Sequence, residues 1–175
     1  MKAVGRRSLD DLASLGRVAT TEPATVGSEG AAVNQAELRQ MAEERLKDAK
    51  TLIEGGRWEF AYYAAGYAVE CSLKSCILSR MIHTGLVFDE EHKPKDCLIH
   101  DLDKLVSLAG LRDKLDDNQK VSNSTGGEFA ANWATAKKWK VTSRYEAKTE
   151  DDAKRLYAAI ADEPHGVLRW IESYW

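Results

Sequence analysis

In the stretch FAYYAAGYAVECSLKSCIL, residues 60–78, one carboxylate, Glu70, stands four residues before Lys74 in an otherwise apolar and small-residue run. On a helix the two are one turn apart, in the favourable Glu-before-Lys order. Tyr63, Gly66 and Tyr67 share that side. Two chemistries fit the spacing. One is an intrahelical ion pair that satisfies neighbouring polar groups. The other is a polar pocket lined by Tyr63, Tyr67, Glu70 and Lys74 that accepts a nucleotide or a partner's arginine. Acid–base catalysis by Glu70 would need a second titratable group, and Lys74 alone makes a poor partner.

His100-Asp101 is the second constellation. Its local reading is a helix start, with Asp101 as N-cap and His100 packed beside it. Its sharper reading joins His92, Asp96, Cys97 and His100 as metal ligands. Those types suit zinc, but His-x3-Asp-Cys-x2-His follows no established zinc spacing, so no metal site is expected. The third is NWATAKKWKVTSRYEAK, where Lys137, Lys138, Lys140, Arg144 and Lys148 face one acid, Glu146, with Trp133, Trp139 and Tyr145 interleaved. Cations neutralise phosphates and aromatic rings stack on bases, so the mixture suits RNA. The competing reading is a solvated face with Trp133 in the core and Arg144 paired to Glu150 or Asp151. A Walker loop, an HExxH zinc motif and a GxSxG elbow are missing, and no cofactor is implied.

Helices must position these groups. QAELRQMAEERLKDAKTLIEGG repeats its apolar residues at helical spacing and stops at Gly55-Gly56, so the next helix folds back antiparallel. That second helix, about Arg57 to His83, is apolar almost all round. A stripe of small residues (Ala61, Ala64, Ala68, Ser72, Ser75 and Ser79) is expected to face another helix, in this chain or a partner's. A short helix is expected from Asp101 to Ala109, and another in EFAANWATAKKWK. The last starts at Thr149 and is kinked or restarted at Pro164. LRDKLDDNQKVSNSTGG reads as partly irregular and VTSRYEAK as extended or turn. No strand is expected. The fold class is an all-α, up-and-down antiparallel bundle of four to five helices spanning residues 35–175. Residues 1–34 form a flexible N-terminal arm, with a short helix possible around Leu9, Leu12 and Leu15, that either stays loose or docks on a partner.

With 175 residues, the chain is long enough to bury a core without staples. Its 25 basic and 28 acidic residues leave a formal charge of −3, so any nucleic-acid binding has to come from a local patch. Three cysteines (Cys71, Cys76 and Cys97) with no CxxC pair fit reduced thiols and a cytoplasmic protein. No apolar stretch is long enough to span a membrane.

The segments AEERLKDAKTLIEGGRWEFAYYAAGYAVECSLKSCI, HDLDKL and SRYEAKTEDDAKRLYAAI together resemble the HEPN-domain family over about residues 36–172. These are prokaryotic helical bundles similar in fold to the C-terminal domain of some nucleotidyltransferases. The resemblance implies a bundle that is commonly a homodimer or pairs with a nucleotidyltransferase-like or effector protein. Its setting is toxin–antitoxin, defence or nucleotidyltransferase-linked systems. Active members are metal-independent ribonucleases that use an arginine followed, after four to six residues, by a histidine, paired across the dimer. Here Arg80 lies three residues before His83, Arg155 ten before His165, and no histidine follows Arg144 before His165. The expectation is therefore a binding or regulatory module without that ribonuclease motif. One alternative is a divergent ribonuclease or nucleotide-processing enzyme built from Arg144, His100 and Glu70; another is a purely structural helical adaptor.

Overall fold

The computed structural model describes residues 34–84 and 98–175. The expected arm and its leucine-bearing helix lie outside the described residues, as do His92, Asp96 and Cys97. Helix α1 (Gln35–Glu54) opens on a capping box: Asn34 Oδ1 accepts from the Glu37 amide at 3.0 Å, and Glu37 Oε2 accepts from the Asn34 amide at 2.9 Å. These bonds satisfy two amides that no helical carbonyl can reach. The chain then reverses within Gly55–Arg57. Gly56 takes φ +67°, a conformation that costs glycine little. Helix α2 (Trp58–Thr84) runs back along α1 and forms the centre of the bundle.

Around it pack α3 (Leu102–Leu108), α4 (Arg112–Ser124), α5 (Glu128–Ala136), a 3-10 helix (Val141–Tyr145), α6 (Glu150–Ala161) and α7 (Val167–Glu172). There is no strand among the described residues, so the fold is all-α. Among the described residues there are seven α-helices where four or five were expected, because several short segments close helical turns of their own. Two segments depart from expectation. The polar stretch after Leu111, expected to be partly irregular, is helical over most of its length as α4 and leaves helix only at residues 125–127. It buries only Leu115 and Ser122, and it is anchored at both ends by side chains. Arg112 Nη2 donates to the Asp103 carbonyl at 2.6 Å, and Ser122 Oγ accepts from the Ala130 amide at 3.1 Å. Val141–Tyr145, expected as extended or turn, is 3-10 helix with Ser143 buried inside it.

The small stripe of α2 is buried from Ala61 through Ser75, and Ser79 is half-buried. Its serines are satisfied within the chain. Ser72 Oγ accepts from Trp175 Nε1 at 3.0 Å, and Ser75 Oγ accepts from Arg39 Nε at 3.3 Å. Arg39 also lies over the Trp175 ring, so the residues after α7 are clasped between α1 and α2. Helix α6 starts on a Thr149–Asp152 capping box with Glu150, Asp151 and Asp152 in its first turn, where the helix dipole favours negative charge. Phe129, Trp133, Trp170 and Tyr174 form an aromatic cluster with centroid separations of 5.5–6.3 Å that joins α5 to α7.

Candidate functional site

Glu70 sits in the middle of α2 with 1 % of its surface exposed. Its carboxylate accepts from Lys74 Nζ at 2.8 Å, the pair that the four-residue spacing implies. It also receives His100 Nδ1, at 2.9 Å to Oε1 and 3.0 Å to Oε2, from a residue thirty positions further along the chain. An ionised carboxylate can only accept, so Nδ1 carries the proton and Nε2 is the imidazole's second site. The ring is 43 % exposed, the lysine side chain 24 %. Thus a buried carboxylate holds one imidazole and one ammonium at fixed positions. Asp101, next to His100, caps α3 through the Lys104 amide at 3.2 Å and pairs with Lys140 Nζ at 3.7 Å.

One and two turns before Glu70, Tyr67 and Tyr63 stack with centroids 5.8 Å apart and planes 12° apart. Burial, then the neighbouring Cys71 thiol, pushes the Tyr67 hydroxyl up to about 12, so it stays a neutral donor at physiological pH. Arg144 lies 4.8 Å over the Tyr145 ring. Contact with Tyr145, and beyond it with Tyr63, raises its pKa and keeps it cationic. The expected pairing of Arg144 with Glu150 or Asp151 is not formed; those acids bind Lys154 and Arg155 instead. Lys137, Lys138, Lys140, Arg144 and Tyr145 are all exposed on the segment that follows α5. Lys148 is tied to Glu146 at 2.7 Å and lies over the Tyr62 ring, and its pKa is raised mainly by the Glu146 contact.

Trp139 does not serve the surface as a stacking ring. Its indole is fully buried against Gly66 and Tyr63, with no side chain at Gly66 to keep it away. Trp133 is likewise in the core. The structure therefore brings Glu70, Lys74 and His100 together, places Tyr67 and Tyr63 on the preceding turns of the same helix, and sets Arg144 against both Tyr63 and Tyr145. Missed from the sequence were Phe60, 54 % exposed, and Arg45, Asp48 and Thr51, which line a cavity of about 510 Å³ with Phe60, Tyr63 and Tyr67 between α1 and α2. An aromatic pair one turn apart beside a short helical reversal was the available signal.

The other described histidines and Arg80 make contacts elsewhere in the bundle. His83 Nδ1 contacts the Ser79 carbonyl at 2.7 Å, and His165 Nε2 pairs with Glu128 at 2.8 Å. Arg80 Nη1 donates to the Leu108 carbonyl at 2.8 Å, closing the end of α3. Among the described residues no group of histidine, cysteine and acidic side chains could hold a metal ion, and no helix is long and apolar enough to cross a membrane.

The second helix also fixes thiol chemistry. Burial pushes Cys71 and Cys76 up to about 11, so at pH 8 only about one thiol in a thousand is thiolate. In a Cys97→Ser background, the native protein is expected to leave a thiol reagent unconsumed until denaturant releases Cys71 and Cys76. A further consequence is alkaline destabilisation. Unfolded thiols ionise first, and native ones hold their protons longer, so stability is complete below the unfolded pKa and falls as pH rises towards 11. Rapid modification of the folded protein would contradict both statements.

An all-helical bundle with a polar knot in its central helix is the class that fold and site define. The HEPN domain family model matches residues 35–162, and the chain belongs to that family. No curated protein and no solved structure matches it.

Proposed function

We propose that this chain is a HEPN-family binding and regulatory module that engages RNA through an exposed basic strip without cleaving it. It works with a second copy of itself or with a nucleotidyltransferase-like or effector protein, in a toxin–antitoxin, defence or nucleotidyltransferase-linked system. The observation that carries the reading is the separation of the reactive types. His100 is docked on Glu70 while Arg144 is set against Tyr63, seven residues earlier on α2. Seven helical residues span about 10.5 Å, two turns. An arginine and a histidine four to six residues apart on one segment would instead present both groups to one phosphate. Lys137, Lys138, Lys140 and Arg144 supply phosphate contacts that need no such convergence.

One observation favours the ribonuclease alternative. A buried carboxylate that orients an imidazole through Nδ1 leaves Nε2 able to take a proton, as general bases require. Incubation of the purified protein with mixed RNA decides between them. The module reading expects intact RNA together with binding that weakens as salt rises, with a log–log slope of about −3 for four neutralised phosphates on single strands. Cleavage abolished by both His100→Ala and Arg144→Ala would replace it with the enzyme reading.

A further inference from the structure

Among the described residues, two of the exposed large hydrophobic side chains are aromatic, and both carry an arginine. Tyr145 is 78 % exposed with the Arg144 guanidinium over its ring. Phe60 has the Arg57 guanidinium 5.6 Å from its ring centroid. The other exposed large hydrophobic side chains among the described residues, Ile82, Leu98 and Val121, are aliphatic and offer no ring to stack on. Tyr63 connects the two pairs. It is one helical turn from Phe60, and its phenol stands next to Arg144. Phe60 and Tyr63 both line the cavity of about 510 Å³, with Arg45, Asp48 and Thr51 as polar groups on its wall.

A ring backed by a guanidinium offers a flat surface to an electron-rich heterocycle and a positive charge to the phosphate beside it. Arginine-backed rings also occur at protein interfaces, but lysine is depleted there, and the exposed Lys137, Lys138 and Lys140 close to Arg144 in the chain favour a polyanion. A nucleic-acid duplex keeps its bases stacked on one another, out of reach of side-chain rings. We propose that the ligand of this face is unpaired RNA, with one base stacked on Phe60 at the α1–α2 cavity and a second stacked on Tyr145. The proposal rests on the RNA-binding reading above and adds the strand state of the ligand and two positioning residues, Phe60 and Tyr145. The arginines Arg57 and Arg144 then serve twice, as backing for the rings and as contacts to the intervening phosphates.

The test is fluorescence anisotropy with a labelled oligouridylate, alone and annealed to oligoadenylate, using the full chain and the variants Phe60→Ala, Tyr145→Ala, Phe60→Trp and Tyr145→Trp. Both aromatic rings lie at the surface, and thermal unfolding verifies that each variant is folded. The single strand is expected to bind more tightly than the duplex. Each alanine variant should weaken single-strand binding by about tenfold without changing the salt slope, because stacking displaces no counterions. The tryptophan variants should retain binding. Alanine variants that bind the single strand as the parent does, or a duplex bound equally well, would overturn the stacking proposal and leave lysine-driven RNA binding standing. Absence of binding to either probe at low salt would overturn the RNA reading itself, and the stacking proposal with it.

Discussion

Gly66→Ala is expected to destabilise the protein by about 3 kcal/mol, although alanine is ordinarily the better helix former by about 1 kcal/mol. A Cβ at this position would fall inside the van der Waals envelope of Trp139 Cγ, Cδ1 and Nε1. The indole cannot swing aside, because Trp139 is fully buried and Tyr63 flanks it. Either α2 or the chain after α5 has to move, and the second option drags Lys140 and the 3-10 helix with it. Trp139→Leu in the Gly66→Ala background should recover part of the loss, giving a favourable coupling between two sites that are each damaging when changed alone. Chemical denaturation of the two single variants and the double variant measures this. Additive losses would show that the contact is not what excludes the methyl group. Because the basic strip begins at Lys137 and Trp139 pins that segment, Gly66→Ala should also weaken RNA binding more than its distance from the lysines suggests.

The glycine was visible in the sequence, and its reason was not. A glycine in the middle of an otherwise good helix marks close approach by something large, but only three-dimensional contact identifies Trp139 as the intruder. Read along the chain, Trp139 between lysines looks like a stacking ring, whereas the fold spends its whole surface on packing. The first two helices were legible because apolar periodicity and the glycine pair state them directly. Helix α4 was not, since it buries a single large apolar residue, Leu115, and its Asp, Asn and Ser content favours turns. The site divides in the same way. Glu70 and Lys74 are one turn apart, so local geometry pairs them. His100 reaches the same carboxylate by tertiary folding, which spacing along the chain does not encode.

Glu70→Ala is expected to cost about 2 kcal/mol, more than an ordinary surface change and less than the loss of a fully buried ion pair. The carboxylate is almost wholly buried, so its removal leaves a void on α2 and deprives Lys74 Nζ and His100 Nδ1 of their common acceptor. Both partners are part-exposed and can turn to water, which limits the loss. His100 stands directly before the Asp101 cap of α3, so freeing the ring should loosen the start of that helix as well as the centre of α2. Glu70→Gln keeps the shape and one acceptor oxygen but gives up the charge. It should fall between the parent and the alanine variant. Double-mutant cycles apportion the effect: Glu70→Gln combined with His100→Asn reports the imidazole, and Glu70→Gln combined with Lys74→Met reports the ammonium. Coupling of about 1 kcal/mol in each cycle is the expected result for a shared acceptor. Hydrogen exchange should show faster opening at the start of α3 in Glu70→Ala, with the α5–α7 aromatic cluster unchanged. No coupling in either cycle, with an unchanged denaturation midpoint for Glu70→Ala, would mean that the three side chains meet without holding the bundle together.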